Sequence, residues 1–262
     1  MALVTGGGRG IGAATSLALC ARGWSVLAID APTHTPHLDE PHLGYDLCTP
    51  EELEATGARG GEHLETASAD VSDPARLAEV VADLVQRRGR LDAAIACAGV
   101  IVGGVPLWEQ DAEALAVQRA INFDAVVELA RLTIPHLLAR PEPRSGRFVA
   151  VASAAAAQGL AGLSAYGATK AGVTGLIRGL AADLADSGIT ANAVAPGSTR
   201  TAMLDASADA YGLANVEAFA GHAPQRRLLD PAEVAAAICW LCSAEAQAVT
   251  GVILPVDGGM TA

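Results

Sequence analysis

Tyr166 and Lys170 stand four residues apart in Ser164-Ala-Tyr166-Gly-Ala-Thr-Lys170. On a helix that spacing sets both side chains on one face, within reach of each other. A tyrosine hydroxyl alone is a poor base, with a pKa of about 10. A neighbouring ammonium favours the phenolate and lowers that value. Such a pair can exchange a proton with an alcohol or carbonyl near neutral pH. Lys170 is also the sole lysine; the other 16 of the 17 basic residues are arginine. A compact ammonium with three donors is not interchangeable with a guanidinium, so its use here points to a specific task. Taken alone, a YxxxK spacing is more often a chance pair on a solvated helix face. The elements that would position it have to decide.

The first of these elements is at the N-terminus. The apolar run 3–5 leads into Gly6-Gly-Gly-Arg9-Gly10-Ile11-Gly12, a helical pattern follows over 13–22, and Gly23 closes it. Residues 26–29 then read as a buried strand ending at Asp30. In a strand, glycine turn, helix, strand unit, the glycines let the backbone approach a pyrophosphate at the helix N-terminus. Asp30 falls about 20 residues on, where a carboxylate accepts hydrogen bonds from an adenosine ribose. It would repel a 2′-phosphate, so NAD is expected rather than NADP. Arg9 is a further candidate for phosphate contact. A flexible glycine linker would need neither the flanking strand and helix nor the acid.

The 262 residues are 51% hydrophobic and 18% charged, ample for a core on both faces of a sheet. Aromatics are only 3%, so Ala, Val, Leu and Ile must build that core. No uncharged apolar run reaches the roughly 18 residues of a membrane span. No basic-then-apolar leader opens the chain, so a cytoplasmic protein is expected. A net charge of −12 with scattered basic residues argues against nucleic acid as a partner. Five scattered cysteines fit a reducing compartment without disulfides. Cys239 and Cys242 form a CxxC inside the helical pattern 231–243, with no second pair to complete a thiolate zinc site. They read as small buried hydrophobes, and no metal is expected.

Residues 31–63 have the least periodicity. His34, His37 and His42 with Cys48 match no common metal-ligand spacing, so a surface loop is expected. Following Asp30 directly, it is placed to fold over the adenosine half of a dinucleotide. Thr49-Pro50-Glu51-Glu52 reads as a helix start, soon ended by Gly57, Gly60 and Gly61. Further strands are expected at 64–69 before Asp70-Val71, 91–96 before Cys97-Ala98-Gly99, 148–152 before Ser153, 190–194 before Pro196-Gly197, and 251–256. Helical patterns fill 73–87, 111–139 around Asn122, a stretch through Tyr166 to residue 186, and 231–243. Short apolar strands alternating with helices give an α/β fold: one doubly wound, Rossmann-like parallel sheet of about seven strands, helices on both faces, in a single domain 1–262. Ligands on such sheets bind outside the C-terminal strand ends. Gly6 to Gly12, Asp30, Asp70, residues 97–99, Ser153 and Pro196-Gly197 all fall there, so one crevice should collect them.

In order and spacing, these motifs resemble the short-chain dehydrogenase/reductase family over the full length: Thr5-Gly6 to Gly12, Asp70-Val71, Ala98-Gly99, Asn122, Ser153, Tyr166-x-x-x-Lys170, Pro196-Gly197 and Val256-Asp257-Gly-Gly259. Gly44-Tyr45-Asp-Leu-Cys-Thr49-Pro50-Glu51 is similar to a pattern of the mycofactocin-coupled, carveol dehydrogenase-like branch. The resemblance implies hydride transfer between NAD and a secondary alcohol or ketone. It implies that Tyr166 moves the alcohol proton, that Lys170 lowers the Tyr166 pKa and holds the nicotinamide ribose, and that Ser153 donates to the substrate oxygen. Asn122 would bend its helix and hold a water linking Lys170 to solvent. Gly6, Arg9, Gly10, Ile11, Gly12, Asp30, Asp70, Val71, Cys97, Ala98, Gly99, Pro196, Gly197 and Thr199 would border the cofactor, with Thr199 at the carboxamide. Residues 198–229 would form a lid hinged at Pro196-Gly197. Its Met203, Leu204, Tyr211, Leu213 and Phe219 fit an apolar substrate or simply pack the lid down. The branch implies tightly held NAD re-oxidised by mycofactocin, and the family a homotetramer with the Asn122 and Tyr166 helices at an interface. Two departures stand out: Cys97 replaces the family's asparagine, and the helix after Thr49 looks short. An NAD-dependent epimerase or dehydratase, or a non-catalytic dinucleotide sensor, would share the fold; the former usually carries more C-terminal sequence, the latter tends to lose Tyr or Lys.

Overall fold

The computed structural model describes residues 1–31, 43 and 45–262. His34, His37 and His42 lie outside the described residues. The strands are β1 (Ala2–Thr5), β2 (Val26–Asp30), β3 (Leu64–Ser68), β4 (Ala93–Ala96), β5 (Arg147–Val151), β6 (Thr190–Pro196) and β7 (Ile253–Val256). They form one sheet in the order β3-β2-β1-β4-β5-β6-β7, every pairing parallel. The reversal of strand order between β1 and β4 opens the crevice in which ligands of such sheets bind.

Alternate residues of each strand serve opposite faces. Leu3, Leu27, Ile29, Ala94 and Phe148 enter one core cluster; Val4, Val26, Ala93, Ile95 and Val149 enter the other. α3 (Pro74–Arg88), α5 (Ala125–Leu138) and α6 (Ser164–Asp183) cover the first face, supplying Leu77, Leu84, Leu129, Val173 and Ile177. α1 (Gly10–Cys20) and α8 (Pro231–Leu241) cover the second with Leu19, Val234 and Ile238. Cys239 and Cys242 are buried in that second core, as small hydrophobes. Among the described residues no helix is long and apolar enough to cross a membrane.

α2 (Pro50–Gly60) starts as expected: Thr49 Oγ1 accepts the Glu52 N–H, and Glu52 accepts the Thr49 N–H. Gly60 and Gly61 end it as expected, whereas Gly57 does not. The helix runs through Gly57 and stops only at Gly61, whose φ is 59°. A Cβ at Gly57 would stand 3.1 Å from the Thr66 methyl. The glycine lets α2 lie on β3 rather than breaking the helix. The expected helix 111–139 is interrupted: α4 (Ala112–Arg119) and α5 flank a π turn at Ala120–Asp124 that holds Asn122. Within the expected lid, α7 (Ala202–Ala210) and a 3₁₀ turn (Val216–His222) pack through Ala208, Phe219 and Leu228.

The glycine turn after β1 is fixed by contact with itself. A Cβ on Gly12 would stand 1.9 Å from the Gly6 carbonyl oxygen. No side-chain rotamer relieves a clash with backbone. Gly12→Ala should therefore lower unfolding stability by about 2–3 kcal/mol, the cost of overpacking, and weaken dinucleotide binding. Denaturant melts with and without NAD measure both effects.

Candidate active site

The strand ends and lid enclose a cavity of about 720 Å³. Each expected contact residue borders it except Asn122, which stands behind the wall.

At one end the polar groups are mostly backbone. Arg9 precedes α1 and offers no side-chain cap. The first-turn N–H groups of Gly10, Ile11 and Gly12 have no intrahelical acceptor and face an anion site by geometry. Gly6, at φ +66°, would bring a Cβ 2.7 Å from the Ala98 backbone, so only glycine lets β1 and β4 approach here. Asp30 accepts the Gly8 N–H at 2.8 Å and the Ala31 N–H at 2.9 Å. Burial pushes its pKa up, and those bonds pull it back. Asp70 Oδ1 takes the N–H and hydroxyl of Ser72 at 2.8 and 2.7 Å, with Val71 beside it on the wall. Thr5 Oγ1 accepts both the Cys97 and Ala98 N–H groups at 3.2 Å. Threonine thus anchors the β4 end where Cys97 replaces asparagine. Burial pushes the Cys97 thiol up to about 12.

The sequence reading missed how firmly residues 45–56 grip this end. Arg9 donates to the Asp46 carbonyl and stands 3.9 Å from Glu52, so its guanidinium turns to this segment. Thr56 Oγ1 donates to the Gly8 carbonyl at 2.9 Å. The Cys48 thiol sits where a Cβ on Gly8 would go, 2.1 Å from it, and burial beside Asp30 and Glu52 raises its pKa to about 12. The helix cap at Thr49 was the only local sign of these contacts; their partners lie some 40 residues away.

The other end holds the reactive side chains. A Cβ on Gly167 would stand 2.8 Å from the Ala155 carbonyl, so α6 lies directly against the turn after Ser153. Lys170 is 3% exposed, and its Nζ donates to the Val151 carbonyl at 2.9 Å. Nζ lies 6.0 Å from the Tyr166 ring centroid. Burial lowers the Lys170 pKa from 10.5 to about 8. Tyr166 is 7% exposed; burial raises its pKa, and a hydrogen bond with Ser153 works against the rise. The expectation that Lys170 sets a lowered Tyr166 pKa is therefore corrected for this pocket. Loss of water leads the rise, and only Ser153 works against it; the amine is turned to a strand carbonyl. Ser153 Oγ also accepts the Ala155 N–H at 3.1 Å. Asn122 spends its amide on Val100, accepting its N–H and donating to its C=O, both at 2.8 Å.

Ile101, Leu160 and Leu163 pack around Tyr166, and Met203, Leu213 and Phe219 also border the cavity. Gly197 passes so close to Asp257 that a Cβ would stand 2.9 Å from its backbone. Thr199 is buried and returns its hydroxyl to the Gly197 carbonyl at 3.0 Å. Tyr211 donates to the Ala161 carbonyl and ties the lid to the loop before α6.

Burying Lys170 costs stability. Its folded pKa lies below its unfolded one, so the unfolded chain binds more protons between pH 8 and 10.5. The penalty is complete below pH 8 and fades as pH rises through that window. Lys170→Met should raise stability at pH 7 by about 1–3 kcal/mol, after allowing for the stranded Val151 carbonyl. The gain should vanish toward pH 10.5. Thermal melts of both proteins at pH 7, 9 and 10.5 check sign and window.

A family model described as Enoyl-(Acyl carrier protein) reductase matches residues 6–261. The (−)-trans-carveol dehydrogenase of Rhodococcus erythropolis is 31% identical over 281 residues, covering 100% of this chain and 97% of that one. The cyclohexanol dehydrogenase of Rhodococcus sp. strain TK6 is 34% identical over 279 residues, covering 100% and 96%. The crystal structure of carveol dehydrogenase from Mycobacterium avium in complex with NAD superposes with a TM-score of 0.90 at 29% identity, over 99% of this chain and 96% of that one. Matched along nearly its whole length in sequence and fold, this chain belongs to the short-chain dehydrogenase/reductase family.

Proposed function

We propose that the protein is an NAD-dependent dehydrogenase that moves a hydride between nicotinamide and an apolar, alicyclic secondary alcohol or its ketone. The observation that carries this reading is the group of Ser153 with buried Tyr166 and Lys170, beside a crevice with unspent N–H donors and Asp30 at its far end. NAD fits that crevice. The Gly10 to Gly12 amides suit a pyrophosphate, and Asp30 and Cys48 leave a 2′-phosphate neither charge partner nor room. The dehydrogenases of similar sequence are named for carveol and cyclohexanol, both alicyclic alcohols.

Bound NAD would supply the ring carbon that takes the hydride and a positive charge beside it. The rest is work for this chain. Ser153 orients the substrate oxygen and stabilises charge on it. Tyr166 takes the alcohol proton in oxidation and returns it in reduction. Lys170, charged below about pH 8, holds the nicotinamide ribose. Asn122 fixes the wall at Val100, and would hold a water that links Lys170 to solvent. Thr199, which borders the cavity, would meet the carboxamide. The apolar wall excludes water from the reacting atoms.

The grip of residues 45–56 on the glycine turn supports slow release of NAD. We therefore propose re-oxidation in place; the resemblance of Gly44 to Glu51 to the mycofactocin-coupled branch supports mycofactocin as the electron acceptor. The family likeness supports a homotetramer joined in part through the helices that carry Asn122 and Tyr166. Five free cysteines suit the cytoplasm.

The test is oxidation of cyclohexanol and carveol by the purified protein, with and without an artificial acceptor. Turnover should require the acceptor, free NADH should not accumulate, and denatured protein should release NAD. Tyr166→Phe should be about 10²–10⁴-fold slower while still releasing NAD. No acceptor reduction with any alicyclic alcohol would contradict the dehydrogenase reading. Protein that purifies free of NAD would contradict in-place re-oxidation.

A further inference from the structure

After β4, three successive backbone amides are each held by a side chain from a different element. The Val100 N–H goes to Asn122 Oδ1 at 2.8 Å, the Ile101 N–H to the Tyr45 hydroxyl at 3.0 Å, and the Val102 N–H to Gln118 Oε1 at 2.7 Å. Val100 and Ile101 border the cavity, and Ile101 packs against the cluster of Tyr166, Leu163 and Ala155. This segment is therefore the wall between the dinucleotide crevice and the apolar end.

Two of the three clips are ordinary framework. Asn122 and Gln118 are fully buried, in the π turn and in α4. Tyr45 differs. It belongs to the segment that grips the glycine turn, it is half-buried, and it borders the cavity itself. Its neighbour Asp46 holds Arg9 through its carbonyl. The hydroxyl accepts from Ile101, which leaves its own proton to donate. Among the described residues no hydrogen-bond acceptor takes that proton. Burial keeps the phenol protonated, with its pKa pushed up to about 12.

We propose that Tyr45 is a positioning residue that couples occupation of the dinucleotide crevice to the shape of the substrate wall. Its O–H donates to an oxygen of the bound ribose-pyrophosphate, while its lone pair fixes Ile101. Seating the dinucleotide then orients the phenol and tightens the wall against which the alcohol packs. The substrate half of this inference rests on the dehydrogenase reading; the cofactor half does not.

The experiment uses the full chain as wild type, Tyr45→Phe and Gln118→Met. It measures residue-resolved amide exchange at Ile101 with and without NAD, the rate of NAD release, and KM and kcat for cyclohexanol with an artificial acceptor. NAD should slow Ile101 exchange in the wild type. In Tyr45→Phe, Ile101 should exchange about fivefold faster, as for one lost hydrogen bond, with little response to NAD. NAD release should also be about fivefold faster, and KM about fivefold higher with kcat within about twofold. Gln118→Met loosens the same wall from the protein side, so it should raise KM while leaving NAD release at the wild-type rate. The proposal is overturned if NAD leaves Ile101 exchange unchanged in the wild type, if Tyr45→Phe releases NAD or binds cyclohexanol as wild type does, or if both variants release NAD equally fast. If the wild type oxidises no alcohol, the dehydrogenase reading fails, and the exchange and release measurements still decide the role of Tyr45.

Discussion

A lysine amine buried against a strand carbonyl sets the geometry of the reactive end. Lys170 Nζ reaches from α6 to Val151 at the end of β5 and fixes helix against sheet. An ammonium out of water is costly unless its donors are spent. The surroundings are cut to suit this one. A Cβ on Gly99 would stand 3.3 Å from Nζ and 3.2 Å from Asn122 Oδ1, so glycine leaves just enough room. Gly167 lets α6 settle onto the turn that presents Ser153. A guanidinium, planar and larger, has no such space. That gives a physical reason for a chain with 17 basic residues to keep a single lysine, and to keep it here.

Charge is divided along the cavity. Asp30, Glu52 and Asp70 border the end beneath α1, whereas Tyr166, Lys170 and apolar side chains make up the other. The acidic end is nevertheless the one suited to a dinucleotide. Its phosphates would be met by N–H dipoles of α1 rather than by cations, because Arg9 is tied to Asp46 and Glu52. A protein of net charge −12 can accept an anion this way because the donors are fixed and cost no reorganisation on binding.

The sequence made the frame readable because its signals are local. Short continuous apolar strands, the Gly6 to Gly12 turn, the Thr49 cap and the Tyr166–Lys170 spacing all act within a few residues. What it hid depends on distant partners. Gly57 reads as a helix end until Thr66 lies beneath it. Arg9 reads as a phosphate ligand until Asp46 appears beside it. Tyr45 gives no local hint of Ile101, 56 residues on. The ionisation of Tyr166 was misjudged for a related reason: helical spacing brings an amine near, but only packing tells how much water is lost. Nor does Cys97, in place of the family's asparagine, show that Thr5 of the neighbouring strand holds the β4 end through the Cys97 and Ala98 N–H groups.

Burial holds the proton on Tyr166, and we propose that a cationic nicotinamide ring seated beside Lys170 would favour its release. The most direct measurement is titration of Tyr166 by carbon NMR on ring-labelled tyrosine, in the free protein and with NAD bound. Tyr166 should titrate above an ordinary tyrosine without NAD and move down when NAD is bound. A titration that NAD leaves in place would contradict it.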